Sequence, residues 1–193
     1  LAAHILVVDD DRRLRELLRK FLSDQGFLVT TAENSADARA KLASLAVDLI
    51  VLDVMMPGMD GFEVCRQIKA NPAVAHIPVV MVTALTDTED RVKGLESGAD
   101  DFLSKPVNDM ALMARVRSLV RLKMAIDEWR ARENTASQLG VTESAAPMMQ
   151  QPTDHANILL LEDMDFESKR IQDTLSKDQD TVTIVSSGLD ALT

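Results

Sequence analysis

The chain is short of cysteine, of long uncharged apolar runs and of basic charge, and each shortage removes a class of protein. Cys65 is the only cysteine, which excludes an internal disulfide and suits a reducing compartment such as the cytoplasm. No run approaches the roughly eighteen uncharged apolar residues of a membrane-spanning helix. No charged-then-apolar leader opens the chain either, so no membrane association is expected. Lys and Arg number 21 against 31 Asp and Glu, a formal net charge of −10. The imbalance is uneven: residues 1 to 133 hold 18 basic and 21 acidic residues, and residues 134 to 193 hold 3 and 10. Neither part offers the basic face that nucleic-acid binding needs, so direct binding of nucleic acid is not expected. What the chain does have is apolar content, 46% of 193 residues, enough for a core and for one to two domains.

Through residue 107, short apolar runs alternate with amphipathic stretches. Strand candidates are "ILVV" (5–8), "LVTT" (28–31), "DLIVLD" (48–53), "PVVMVT" (78–83) and "DFLS" (101–104). Three are almost continuously apolar, as expected of strands covered by helices on both faces. Between them fall helical spacings: Leu14, Leu17, Leu18, Phe21 and Leu22, then Ala38, Leu42 and Leu45, then Val64 and Ile68, then Val92 and Leu95. Thr86 with Glu89 forms a capping-box signal for the fourth helix, and Gly98 a stop. The alternation predicts an α/β fold, a doubly wound five-stranded parallel sheet of flavodoxin-like type.

The fifth helix is expected to be long. Asn108 can cap it, and neither Gly nor Pro interrupts the pattern before Gly140. Its 25 residues from Asn108 to Arg132 would span about 37 Å. Leu112, Val116, Leu119, Ile126 and Trp129 keep an apolar stripe beyond what the sheet can cover, so the helix needs a partner. Residues 134–156 read as a linker. From residue 157 the opening of the chain recurs. Set against residue 4 without gaps, it gives nine identities in 37 positions, among them Asp10 with Asp163. The expected organisation is therefore a first domain over 1–133 with an elongated last helix, a linker, and the start of a second similar domain over 157–193. A βαβ piece of that size cannot bury a core alone, so a fragment of a longer protein is expected.

Ligands in a doubly wound sheet bind outside the carboxyl ends of the strands. There the first strand ends in Asp9 and Asp10, the third in Asp53 and the fourth in Thr83, and Lys105-Pro106 follows the fifth. Singly, such an Asp caps a helix, such a Thr reflects strand preference and such a Lys is solvated. Together they are different. Two like charges 4 Å apart repel by about 4 kcal/mol at an effective dielectric of 20, so three carboxylates at one edge call for a hard divalent cation with oxygen ligands, Mg²⁺. One carboxylate is then a candidate nucleophile toward phosphorus, Lys105 a second cation, and the Thr83 hydroxyl and Ala84 backbone N–H donors to a phosphoryl oxygen.

The segments "ILVVDDD", "DLIVLDVMMPGMDGFEVCRQIK", "VVMVTALTD" and "GADDFLSKP" resemble the receiver domain of two-component response regulators over residues 4 to 122. The resemblance implies Asp53 as phospho-acceptor, Mg²⁺ held by Asp10, Asp53 and the Met55 carbonyl with Asp9 acting through water, Lys105 paired with the phosphoryl group, and Thr83 with Phe102 as the switch pair. It implies a sensor histidine kinase or phosphotransfer protein as partner, and homodimer formation on activation. The start of a second receiver-like repeat further resembles regulators that join a receiver, a receiver-like adaptor and a GGDEF diguanylate cyclase, although no GGDEF motif lies in these residues. Met55 and Leu85, two positions after Asp53 and Thr83, are apolar and cannot orient a water, which implies slow self-dephosphorylation.

Two other functions remain open in the residues. An Mg²⁺-dependent phosphohydrolase using an aspartyl phosphate would place its nucleophile at the end of the first strand in a D-x-D pattern, which Asp9 and Asp11 fit. A receiver-only adaptor would bind proteins without an output domain. Met55, Met56 and Met59 are read as apolar loop and core residues and not as a metal site, Cys65 is read as packing, and none of His4, His76 and His155 is assigned as a phospho-donor. Trp129 is expected to be an exposed interface residue.

Overall fold

The structure, a computed structural model, describes residues 2–56, 59–84, 88–138, 156–175 and 180–187. The chain divides into two units, Leu1–Leu139 and Gly140–Thr193.

In the first unit the expected strands form β1 (His4–Val8), β2 (Leu28–Ala32), β3 (Leu49–Asp53), β6 (Val79–Thr83) and β7 (Asp101–Ser104). They make one parallel sheet in the order β2-β1-β3-β6-β7. This is the flavodoxin-like order, and it makes β1, β3, β6 and β7 contiguous. A two-residue-per-strand hairpin, β4 (Met55–Met56) with β5 (Met59–Asp60), follows β3 and had no signal in the apolar pattern.

Two apolar layers cover the sheet, as a parallel sheet requires. On one face Leu6, Val8, Ile50, Leu52, Val79 and Met81 pack with Ala38 and Leu42 of α2 (Ser35–Ser44) and with Phe62, Val64, Cys65 and Ile68 of α3 (Gly61–Ala70). On the other, Ile5, Val7, Val51, Val80 and Val82 meet Leu18 and Leu22 of α1 (Arg12–Asp24) and Leu112 and Val116 of α5 (Asp109–Gln138). Cys65 is fully buried, and that burial pushes its thiol above the ordinary 9.0, so its expected role as inert packing stands.

The helix ends follow local chemistry. Asp11 caps α1, its carboxylate accepting from the N–H groups of Arg13 and Leu14. Asn34 caps α2 by accepting from Asp37 N at 2.9 Å, and Asp60 caps α3 by accepting from Phe62 N at 2.9 Å. α4 (Thr88–Glu96) ends ahead of Gly98, whose φ is +87°. The capping box expected at its start rests on Thr86, which lies outside the described residues. Asn108 Oδ1 accepts from Ala111 N at 2.9 Å, the expected cap of α5.

α5 runs on to Gln138, so the linker expected from Asn134 begins inside the helix. Its extension is tied to the foot of the sheet. Lys123 Nζ lies 3.3 Å from Asp48 Oδ1 and also pairs with Asp127, while Asp48 Oδ2 accepts from His4 N at 2.8 Å. Trp129 is half-buried, not exposed as expected.

The second unit repeats the opening of the first. β8 (Asn157–Leu161), α6 (Asp165–Leu175) and β9 (Thr181–Val185) form a parallel βαβ piece. Asn157 stands opposite Thr181 as His4 stands opposite Leu28, and the pairing continues in the same register to the strand ends. Even the turn recurs: Asp9 Oδ1 accepts from Asp11 N at 2.8 Å, and Glu162 Oε1 accepts from Met164 N at 3.0 Å. Burial differs. β1 is wholly buried, whereas Leu159 and Leu161 of β8 are 55% and 53% exposed.

Candidate functional site

The carboxyl edge of the sheet gathers four of the residues singled out by the sequence. Asp9, Asp10 and Asp53 each place a carboxylate oxygen within 4.8 Å of the other two. β1 pairs with β3 from Ile5 to Val8, so the two strands end side by side and deliver their acids to one place. Asp9 and Asp53 are each 2% exposed, and Asp10 is open to solvent. Lys105, just past β7, reaches across: its Nζ lies 2.9 Å from Asp53 Oδ1 and 3.3 Å from Asp9 Oδ2. The Lys105-Pro106 peptide is cis, and Lys105 N donates to Thr83 O at 2.7 Å.

The electrostatics are those of an under-compensated acidic cluster. Burial pushes the Asp9 carboxyl above its ordinary 3.8. The Asp11 N–H opposes that rise, the charge of Asp53 adds to it, and Lys105 again opposes it. Burial works against the Lys105 ammonium, yet its bond to Asp53 and the charges of Asp9 and Asp53 hold it above the ordinary 10.5. Three carboxylates against one ammonium leave a deficit of positive charge. An all-oxygen donor set with one solvent-facing acid fits a hard divalent ion that keeps waters and open positions.

The remaining predicted residues frame this cluster. Met55 N donates to Asp53 Oδ1 at 3.3 Å from the start of the hairpin, and the Met55 side chain is exposed. Thr83 is buried at the end of β6, and Ala84 after it is exposed. Thr83 shares a sheet face with Met81, and Phe102, paired with Met81 in β7, packs on that same face. Leu85 lies outside the described residues. Asp11 is not brought into the cluster, because its carboxylate is spent on capping α1.

Two contributors were missed. Arg15 Nη1 donates to the carbonyls of Asp9 and Asp10 at 2.6 and 3.0 Å and so fixes the backbone that carries both acids. The helical spacing from Asp11 held that signal. Gly61 is the other. A Cβ there would lie 2.4 Å from Asp53 O and 2.6 Å from Val54 Cα, so only glycine lets the start of α3 close on the end of β3. Its N–H donates to Val54 O at 2.9 Å.

A five-stranded doubly wound domain with a buried, lysine-paired acidic cluster at its carboxyl edge is the architecture of a phosphoryl-signalling module. Residues 5–117 match the family model described as response regulator receiver domain, and the chain belongs to that family. It is 46% identical over 171 residues to the response regulator PleD of Caulobacter vibrioides, a match that takes in 89% of this chain and 37% of that protein. The chain thus spans little more than a third of that relative's length. Among solved structures, the chemotaxis protein CheY4 of Vibrio cholerae superposes with a TM-score of 0.59 at 32% identity, covering 62% of this chain and 99% of that one. A response regulator from Chloroflexus aurantiacus gives a TM-score of 0.60 at 30% identity, over 63% and 99%. Among the described residues no helix is long and apolar enough to cross a membrane.

Proposed function

We propose that this receiver domain takes a phosphoryl group onto Asp53 from a histidine kinase or phosphotransfer protein, in a reaction that requires Mg²⁺. The reading rests on one observation above all: Lys105 Nζ stands 2.9 Å from Asp53 Oδ1 while the oxygens of Asp9 and Asp10 lie within 4.8 Å of the same carboxylate. Asp10, Asp53 and the Met55 carbonyl would hold the ion, with Asp9 acting through water. When bound, the ion supplies the missing positive charge and neutralises phosphoryl oxygens. The residues of the chain do the rest. An Asp53 oxygen attacks phosphorus as the bond from phosphorus to the donor imidazole breaks, and the imidazole leaves with the electron pair. Lys105 steadies the transferred oxygens as a point charge. The Thr83 hydroxyl and the Ala84 N–H donate to them, Thr83 moves toward the phosphoryl group, and Phe102 turns into the space it leaves. That repacking changes the face made by α4, β7 and α5, and with it association into a homodimer.

The domain plan belongs to the same reading: a receiver over 1–133 with an elongated last helix, and the beginning of a second receiver-like domain from 157. The identical register of β1–β2 and β8–β9 supports it. A GGDEF cyclase output in a longer parent protein extends the reading, and the open reading frame past Thr193 tests it. A cytoplasmic setting completes it, supported by a lone buried cysteine.

The phosphohydrolase alternative puts the phosphate on Asp9. Its D-x-D pattern is weakened by Asp11, which caps α1, and by Asp9 itself, whose two oxygens are engaged by Asp11 N and Lys105. Treatment with acetyl phosphate and Mg²⁺ followed by peptide mass spectrometry decides the matter. Phosphate on Asp53, abolished in Asp53→Asn, is the expected result; phosphate on Asp9 would overturn it.

A further inference from the structure

Phe102 rests on a position that has no side chain. Its ring packs against the core on the α2 and α3 side of the sheet, and on α4 it lies over Gly94. A Cβ at Gly94 would stand 2.2 Å from both Cε1 and Cζ of Phe102, and 3.3 Å from Cε1 of Phe62. Gly94 is buried in the last turn of α4, where glycine in a helical conformation is disfavoured relative to alanine. Local preference therefore does not account for it; the ring does.

The backbone of Phe102 is held in place independently. Arg115 Nε of α5 donates to Phe102 O at 3.0 Å, Phe102 N donates to Asp101 Oδ1 at 2.7 Å, and the strand register sets Phe102 against Met81. Rotation of the side chain is the freedom left to it, and α4 forms one wall of the space in which it rotates.

We propose that Gly94 is a positioning residue for the switch: by lacking a side chain it seats the Phe102 ring on α4 beside Phe62, so that ring and helix must move together. The inference rests on the assignment of Thr83 and Phe102 as the switch pair and adds the residue through which the aromatic acts on α4. A methyl group at position 94 fills the seat and expels the ring, and it uncouples α4 from the acidic site without touching that site.

The test uses the full chain with Mg²⁺ and beryllofluoride as the phosphoryl mimic. Amide exchange over residues 88–104 reports α4 and β7, and fluorine resonance reports occupancy at Asp53. In the unsubstituted chain beryllofluoride binds and changes exchange in α4. In Gly94→Ala it binds, but the exchange response falls by roughly tenfold or more, as expected for an overpacked contact. A full response in Gly94→Ala overturns this inference alone. Binding without any α4 response in the unsubstituted chain overturns the switch assignment and this inference with it. A double-substitution cycle guards against simple damage to the fold. Gly94→Ala should lower the melting temperature by clearly more when Phe102 is present than in the Phe102→Ala background, where helix preference and the 3.3 Å approach to Phe62 are what remain. The same change in both backgrounds overturns the inference. Should Gly94→Ala alone fail to fold, recovery of the fold in the double variant supports it and failure there overturns it.

Discussion

Lys105 and Asp53, carried by β7's exit and the end of β3, form an ion pair at 2.9 Å in which the carboxylate is almost wholly buried. The same ammonium also serves Asp9 at 3.3 Å. It is thus the one cation paired with these acids among the described residues, and its loss leaves buried carboxylates facing one another. Lys105→Met should lower stability toward urea in metal-free buffer by roughly 1–3 kcal/mol. Mg²⁺ should restore part of that loss. A variant as stable as the parent without metal would show that the pair does not hold the cluster together.

Gly61→Ala should be costly although the residue begins a helix, where alanine is ordinarily welcome. The added carbon meets Asp53 O at 2.4 Å and Val54 Cα at 2.6 Å, and both are backbone atoms that cannot swing aside. A loss of about 1–3 kcal/mol is expected, with weaker Mg²⁺ binding measured by calorimetry. An unchanged urea midpoint would contradict the close approach.

The foot of the sheet should respond to pH. Burial first, and then the charges of Lys123 and Arg130, hold His76 below its ordinary 6.5, with Asp127 opposing. The unfolded chain therefore takes up the proton at higher pH than the folded one. The stability involved is present in full above about pH 6.5 and is lost as the pH falls through the folded value. Urea midpoints measured between about pH 7.5 and 5 should fall less steeply in His76→Gln than in the parent. Parallel curves would remove His76 from the account.

Lys123 should govern how firmly α5 continues past the sheet. Its side chain is 11% exposed and bridges Asp48 and Asp127. Lys123→Met leaves Asp48 without that partner and unfastens the helix from the start of β3. Amide exchange beyond residue 123 should quicken while exchange in β1 and β3 stays slow. Equal protection in both proteins would mean that packing alone fixes the extension.

The phosphorylated form should be long-lived. Met55, two positions past Asp53, is 58% exposed and offers no group that can orient a water toward the phosphoryl group. Decay of the acyl phosphate in Mg²⁺ buffer, followed by gel mobility, should take minutes or longer. A lifetime of seconds would show that another group positions the water.

Much of this was legible from residue order. Near-continuous apolar runs such as "DLIVLD" marked buried parallel strands, and acids at their ends marked the site. Asn108 and Gly98 announced a helix start and a helix stop by local hydrogen bonding and backbone preference. The hairpin at Met55–Asp60 escaped because two-residue strands leave no periodicity. Trp129 was expected to be exposed because it lies beyond the reach of the sheet, yet its surroundings half-cover it.

By itself, then, the sequence determined the strand and helix periods, the order of the elements, the recurrence at residue 157 and the presence of carboxylates where strands end. Those are properties of neighbouring residues and of their spacing. The tertiary structure alone decided which carboxylates share a site. Asp9 and Asp53 meet because β1 and β3 are adjacent, while Asp11, only two residues from Asp9, turns away to cap α1. It also decided what Gly61 and Gly94 are for. A missing side chain carries no signal in the chain; its meaning appears only when Asp53's carbonyl or Phe102's ring occupies the space.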